Sequence, residues 1–138
     1  MPIRILSGAQ SSGKLHLGNY FGAIKQQIEL QQQADAELFY FIADFHALTT
    51  IHDPATMRAN VRDAAIDYLA LGLDPKRSTF FRQSDVPEVT ELAWMLTCVT
   101  PVGWLERMTQ YKVKAAKEES VGDGILQYPV LMAADILL

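Results

Sequence analysis

Cysteine occurs once, at Cys98, so an internal disulfide is excluded. A reducing compartment suits such a chain, and the expected role of Cys98 is that of a small buried hydrophobe. No apolar run approaches the roughly 20 residues of a membrane helix, and the one in MPIRILSGAQ is too short for a signal peptide. The expectation is a cytoplasmic protein with no membrane partner. Glycine and proline, 8 and 6 residues, are not in excess, and there is neither a low-complexity tract nor an internal repeat. Positive charge is in deficit, 12 Lys+Arg against 16 Asp+Glu, for a net charge of −4. This removes any general electrostatic reason to bind nucleic acid and leaves room only for a local basic patch.

Hydrophobic residues make up 49% of the 138, enough for one core, and a single domain is expected. IRILS (3–7) reads as a short buried strand. Leu17, Phe21, Ile24 and Ile28 then follow a helical spacing that starts near His16 and runs into QQIELQQQ, expected to be a glutamine-rich surface. ELFYFIAD (37–44) is a second strand. Asp53 and Pro54 supply an N-cap and a first helical residue. Met57, Val61, Ala64, Tyr68 and Leu71 form the buried stripe of that helix, and Gly72 its C-terminal stop. STFFRQS (78–84) is a third strand. Pro87 opens a helix to about Cys98 with Leu92, Leu96 and Val99 inward, and Pro101 breaks it. A helix from about Trp104 to Lys117, a loop EESVGDG and a last helix from about Gln127 complete the pass. Strands alternating with helices indicate an α/β protein with a parallel sheet. Ligands bind such sheets beyond the carboxyl ends of the strands, which directs attention to the loop after IRILS. The sequence stops in LMAADILL, inside an apolar helical pattern without a cap, and is expected to be the front part of a longer protein.

That loop, SGAQSSGKLHLGN, allows three readings. Gly8, Gly13 and Lys14 fit G-x-x-x-x-G-K, the core of a phosphate-binding loop, and Asp44 at the end of YFIAD imitates its companion motif. Leu15, however, stands where a Ser or Thr hydroxyl holds magnesium, and a leucine cannot ligate a cation that wants oxygen. The second reading is a plain turn, with glycine for the backbone angles and serine as a cap. The third shifts the chemistry to His16, Gly18 and Asn19. There a helix N-terminus offers free N–H groups to an anion, and an imidazole can donate a hydrogen bond to phosphate.

SGAQSSGKLHLGNYFGAI resembles the first signature of class I aminoacyl-tRNA synthetases, His-Ile-Gly-His, in the form His-Leu-Gly-Asn. ADFHALT (43–49), LGLDP (71–75), WMLTCVTPVGWLERMTQYK (94–112) and YPVLMAADILL (128–138) are similar, in order, to the tryptophanyl-tRNA synthetase family of bacterial type. The resemblance spans nearly the whole chain. It implies that residues 1–138 are the N-terminal part of a Rossmann-type catalytic domain. The fold would be α/β, a parallel sheet with helices on both faces, incomplete at the C-terminus. An insertion at about 85–115 would form a symmetric homodimer. The implied reaction joins L-tryptophan to the α-phosphate of ATP, then passes the aminoacyl group to tRNA(Trp). Mg2+ would enter with ATP, with no dedicated metal site in the chain. The family's second signature, Lys-Met-Ser-Lys-Ser, is not among these residues, so weak activity or none is expected of the chain alone.

The resemblance also implies roles. Gln10, Ser11 and Ser12 match the loop along ATP. His16, Gly18 and Asn19 match the signature, His16 facing phosphate and Gly18 the adenine–ribose side. Lys114 matches a lysine reaching the phosphates, so the catalytic set would be His16, Asn19 and Lys114. Tryptophan would contact Leu6, Gly8, Gln10, His46, Tyr128, Met132 and Asp135, with Gly8 leaving room for its ring. Tyr128, Met132 and Asp135 are spaced i, i+4, i+7 and so share one helix face. An ionised Asp135 is a suitable acceptor for an indole N–H, which is a donor only. Two positions depart from the family pattern: Ser11 where proline is frequent, and Leu6 where phenylalanine is. Lys14 falls at a variable position and becomes a surface charge, while Cys98, Trp94 and Trp104 are expected in packing roles. Beside the synthetase, a phosphate-loop hydrolase or kinase and a non-catalytic interaction module stay open from the residues alone.

Overall fold

The computed structural model describes residues 3–33, 35–116 and 121–138. The chain divides into two compact units, Met1–Asp85 and Val86–Leu138. The boundary falls where the stretch expected to form an insertion begins.

The first unit is built on three strands, β1 (Ile3–Ala9), β2 (Ala36–Ile42) and β3 (Thr79–Arg82), in the order β1-β2-β3. Both pairings are parallel, with Ile3 opposite Ala36, Ala9 opposite Ile42 and Phe39 opposite Thr79. Side chains alternate between faces along a strand, so Ile5, Ser7 and Ala9 share a face with Leu38, Tyr40 and Phe80. That face carries the core, in which Ile24, Leu38, Tyr40, Tyr68 and Leu73 are buried. Burying each such side chain contributes about 1.5–3 kcal/mol. The expected α/β class, a Rossmann-type parallel sheet with flanking helices, is what the chain forms, and the sheet is incomplete.

The connection from β1 to β2 departs from the simple helical stripe. Helix α1 (Leu17–Asn19) passes through a π-helical segment, Tyr20–Ile24, into α2 (Lys25–Leu30). A π turn closes i to i+5 and takes more residues than an α turn, so the inward phase changes across it. Leu15 packs on the core before it, Tyr20 and Ile24 at its two ends, and Ile28 after it. Leu17 and Phe21, expected on the same stripe, are exposed.

The glutamines of QQIELQQQ correct a second expectation, because Gln27 and Gln31 are 4% and 6% exposed. A buried amide is tolerated when its donors and acceptors find partners. Gln27 Nε2 donates to Ser7 Oγ at 2.7 Å, and its backbone carbonyl accepts from the Tyr40 hydroxyl at 3.0 Å, while its buried Oε1 has no hydrogen-bond partner among the described residues. Gln31 Nε2 donates to the Ile28 and Gly72 carbonyls, each at 3.2 Å. Its Oε1 accepts from Asp74 N at 2.6 Å and Ser78 Oγ at 3.1 Å. The side chains of Gln27 and Gln31, with the Tyr40 hydroxyl, thus tie the end of α2 to β1, to β2 and to the loop before β3.

Two short elements near the strand ends are α3 (Asp44–Ala47) and a 3-10 turn, Gln83–Asp85. Helix α4 (Pro54–Ala70) keeps the signals read from the sequence. Asp53 caps it by accepting from Thr56 N at 2.7 Å. Gly72 takes φ 111°, a left-handed angle that favours glycine. Beyond it Leu73 N–H returns to the Tyr68 carbonyl and Gly72 N–H to that of Leu69, a Schellman ending. Leu71, assigned to the buried stripe, is the C-cap residue and is exposed.

In the second unit α5 (Glu88–Val99) ends before Pro101, as the sequence indicates. The helix expected from Trp104 is two, α6 (Val102–Leu105) and α7 (Thr109–Ala115). The expected helix end at Lys117 and the first three residues of the loop EESVGDG lie outside the described residues, and the last two belong to α8. Helix α8 (Asp123–Leu137) starts four residues before the expected Gln127. It packs on α5, where Thr97 Oγ1 approaches Gln127 Oε1 at 3.4 Å, over the buried Val89, Leu105, Ile125, Val130 and Ala134. The packing roles expected of Trp94, Trp104, Cys98 and the inward position of Val99 are corrected. Trp94 and Trp104 are 70% and 62% exposed, Val99 76%, and Cys98 is exposed as well. Helix α5 carries apolar residues on several sides; among the described residues its side toward α8 is covered, while Trp94, Met95 and Val99 are exposed. Among the described residues, no helix is long and apolar enough to cross a membrane.

Burial pushes the Tyr68 phenol up to about 12, with Tyr40 adding to the shift, and burial raises Tyr40 too. The folded state therefore holds these protons more tightly than the unfolded chain does. Their contribution to stability is whole below the ordinary tyrosine value of 10.0 and falls as pH rises toward about 12. Urea midpoints measured at about pH 9 and about pH 11 should drop for the native chain. Tyr68→Phe should show a smaller drop; an equal one would discount Tyr68.

Candidate functional site

The carboxyl ends of the three strands lie side by side, and the residues just beyond them are tied together. After β2 the chain turns into α3, preceded by Ala43, which has no capping side chain. Partners come from β3 instead. Gln83, 1% exposed, accepts through Oε1 from Phe45 N at 3.1 Å and His46 N at 3.3 Å. Asp44 returns the tie: its carboxylate accepts from Ser84 N at 3.0 Å and from the Ser84 hydroxyl. From the β1 side, Gln10 Nε2 donates to the His46 carbonyl at 3.1 Å. His46 is thus held through its own backbone from both neighbouring strands. Arg82 pairs with Asp85 just beyond, and that contact holds the Asp85 carboxyl below its ordinary range.

His16 stands at the N-cap of the helical run that follows β1. Its Nδ1 accepts from Gly18 N at 3.1 Å, while Asn19 Oδ1 accepts from His16 N at 3.0 Å. This is a reciprocal capping box with histidine in the usual Ser/Thr place. A backbone N–H can only donate, so Nδ1 must be the bare nitrogen, and a neutral imidazole then carries its proton on Nε2. Gly18 is part of the same device: a Cβ there would stand 2.9 Å from His16 Cε1 and 3.0 Å from Nδ1. The three signature residues interlock before any ligand arrives.

The phosphate-loop reading does not survive the geometry. Lys14 lines an open cleft of about 400 Å³ with Leu15, Asp63, Ile66 and Asp67. Two carboxylates beside the lysine repel a phosphate, and Leu15 packs on the core. Ser12 is exposed, whereas Ser11 is buried and turns its hydroxyl inward. Leu6 and Gly8 occupy the same face of β1 and are both exposed. The room that Gly8 leaves is taken from within, since a Cβ would meet Phe41 Cζ at 2.5 Å. The Phe41 ring in turn stacks on Phe81 at 5.7 Å between centroids.

Leu6, Gly8, Gln10, Ser11, Ser12, His16, Gly18, Asn19 and His46 all belong to the first unit. The other sequence-derived candidates belong to the second. Lys114 is half-buried on α7. Tyr128 and Asp135 are half-buried on α8 and Met132 exposed on it. Pro129, beside Tyr128, removes one backbone donor from the interior of that helix. Gln83 escaped the sequence reading. Its only signal was a glutamine directly after an apolar strand, where a polar side chain has the backbone groups of the next strand end within reach. Among the described residues no group of three or more His, Cys, Asp or Glu is placed to hold a metal ion.

The whole chain, residues 1–138, matches the family model described as tRNA synthetases class I (W and Y). A tryptophan–tRNA ligase of Rhodopirellula baltica is 58% identical over 98% of this chain and 42% of that protein. One from Fusobacterium nucleatum is 56% identical over 98% and 41%. The tryptophanyl-tRNA synthetase of Campylobacter jejuni, solved in complex with ADP and tryptophan, matches with a TM-score of 0.89 and 51% identity. That match covers 97% of this chain and 41% of that one. The chain thus spans about two fifths of the length of these relatives. With its signature residues interlocked at the first strand end, this chain belongs to the class I tRNA synthetases of the tryptophan and tyrosine group.

Proposed function

We propose that this chain forms part of the site in which L-tryptophan is activated by ATP, the complete enzyme then charging tRNA(Trp). The observation that carries the reading is the His16–Gly18–Asn19 interlock, which leaves one imidazole N–H uncommitted at a helix start beyond β1. Relatives above 50% identity named for tryptophan support the choice of amino acid over tyrosine. ATP enters with Mg2+ as the substrate complex. The tryptophan carboxylate attacks the α-phosphate, a P–O bond forms, and pyrophosphate leaves with the electron pair of the broken P–O bond. No covalent bond to the protein is needed, so catalysis consists of positioning and of stabilising charge.

In this reading His16 Nε2–H donates to a phosphate oxygen. Asn19 has already spent its carbonyl on the His16 N–H and presents its amide hydrogens. Gln10 and Ser12 line the nucleotide, with Ser11 shaping the loop from inside and Gly18 toward the adenine–ribose side. Lys114 supplies a positive charge to the phosphates. A preorganised donor of this kind contributes roughly 10²–10³ in rate. Asp135 accepts the indole N–H, Tyr128 and Met132 pack on the ring, and Leu6, Gly8, Gln10 and His46 close the amino-acid side. A pocket built on one buried acceptor rejects rings that leave it unpaired. The ring of tryptophan and that of Phe41 cannot share the space over Gly8, so binding turns Phe41 aside. A cytoplasmic location follows from the tRNA substrate.

Trp94, Met95, Val99, Val102 and Trp104 are exposed apolar side chains of the second unit, which a homodimer would cover. Light scattering after gel filtration should return twice the chain mass for the native protein and a single mass for Trp94→Glu; a native monomer would remove the dimer.

Any ATP–pyrophosphate exchange by the chain should require tryptophan, and labelled tryptophan should bind in equilibrium dialysis. ATP turnover indifferent to tryptophan would overturn the reading. A second test separates the cap from the phosphate donor. His16→Ala should lose about 1 kcal/mol of stability through the missing cap, and ATP affinity as well. His16→Ser should recover the stability but not the affinity. Unchanged ATP binding in both variants would remove His16 from the site.

A further inference from the structure

We propose that Gln83 is a positioning residue for tryptophan activation, acting through the backbone of His46; the role rests on the functional reading above. Gln83 follows β3 directly and is 1% exposed. Its Oε1 takes both Phe45 N–H, at 3.1 Å, and His46 N–H, at 3.3 Å. These are first-turn donors of α3, which the carbonyls of that helix cannot reach; Phe45 N also donates to Asp44 Oδ1 at 3.1 Å. The local cap position is Ala43, which offers no acceptor, so a side chain from another strand does the work of a cap. On the other side of the same residue, the His46 carbonyl accepts from Gln10 Nε2 at 3.1 Å. Thr49 Oγ1 adds a second donor to that carbonyl at 2.8 Å.

The place of Gln83 is itself secured. Asp44 accepts from the backbone and hydroxyl of Ser84, the next residue. The ends of β2 and β3 are therefore crossed by two reciprocal ties: Asp44 reaches to Ser84, and Gln83 reaches back to Phe45 and His46. The first tie preserves the sheet ends when the second is removed. That separation gives Gln83 a role apart from holding the fold. Without the Gln83 acceptor, His46 N–H loses that bond in a half-buried place, Phe45 N–H falls back on Asp44 Oδ1, and α3 is held less firmly. Displacement of a substrate-facing residue by about 1 Å can cost roughly 10²-fold in a positioned reaction. A glutamine fits the task because its acceptor reaches across to the neighbouring strand end. Glutamate reaches equally far and keeps the acceptor. Asparagine is one carbon short.

The test uses the 138-residue chain. In Gln83→Met, amide hydrogen exchange followed by NMR should quicken about tenfold at His46, and less at Phe45, which keeps Asp44 Oδ1. The Ser84 amide, held by Asp44, should stay protected. Affinity for labelled tryptophan in equilibrium dialysis should fall by about the same factor, and Gln83→Glu should restore both readouts. Should Gln83→Met fail to fold, Gln83→Asn keeps a polar side chain, withdraws the acceptor, and is expected to show the same local opening. Unchanged exchange at Phe45 and His46 would overturn the bracket. Faster exchange with undiminished tryptophan affinity would overturn the positioning role. A native chain that binds no tryptophan would overturn the functional reading and the role resting on it. That failure is told apart by exchange that still quickens in Gln83→Met.

Discussion

A parallel sheet leaves a chemical debt at its carboxyl end. Each strand there gives way to a turn or helix start whose backbone N–H and C=O groups no neighbouring strand satisfies. In this chain side chains from the adjacent strands satisfy them. Asp44 reaches from β2 to Ser84, Gln83 reaches from β3 to Phe45 and His46, and Gln10 reaches from β1 to His46. The constraint is severe because an unpaired buried polar group costs roughly 1–3 kcal/mol. The rest of the site depends on it: His46 stands where it does because three strand ends agree on where its backbone goes.

The same economy of fixed partners governs the helix start after β1. His16, Gly18 and Asn19 bond to one another, and the bonding leaves Nε2 as the proton-bearing nitrogen of a neutral ring. The glycine serves the histidine by making space for its ring, whatever it also offers a ligand. A motif that in sequence looks like three separate contacts is in structure one rigid unit. The π-helical segment that follows, Tyr20–Ile24, then turns the helix so that Ile24 and Ile28 meet the core.

Much of the fold was legible because local chemistry acts over short spans. Asp53 and Pro54 start α4, Gly72 stops it, and Pro87 and Pro101 bracket α5, each through backbone geometry that needs no distant partner. Three apolar runs alternating with helices indicated the parallel sheet. The glutamines misled, because a glutamine is an exposed residue by default. Only tertiary contacts bring Gln27 to Ser7 and Tyr40, and Gln31 to Gly72, Asp74 and Ser78. Trp94, Trp104 and Cys98 misled in the opposite sense. Their apolar character suggested an interior, and among the described residues they are exposed.

The sequence by itself determined the class of fold, the boundaries that caps and prolines mark, and the family, since the signature His16-Leu17-Gly18-Asn19 and its companion blocks are properties of residue order. It also removed magnesium ligation at position 15, because leucine has no oxygen to offer. The tertiary structure alone decided which polar side chains are buried. It alone revealed that Lys14 faces Asp63 and Asp67, and that Gln83 serves as the cap of a helix on another strand. The physical reason is distance along the chain. A cap three residues away follows from neighbouring letters, whereas a bond between residues 45 and 83 exists only once the parallel register of β2 and β3 has set their ends side by side.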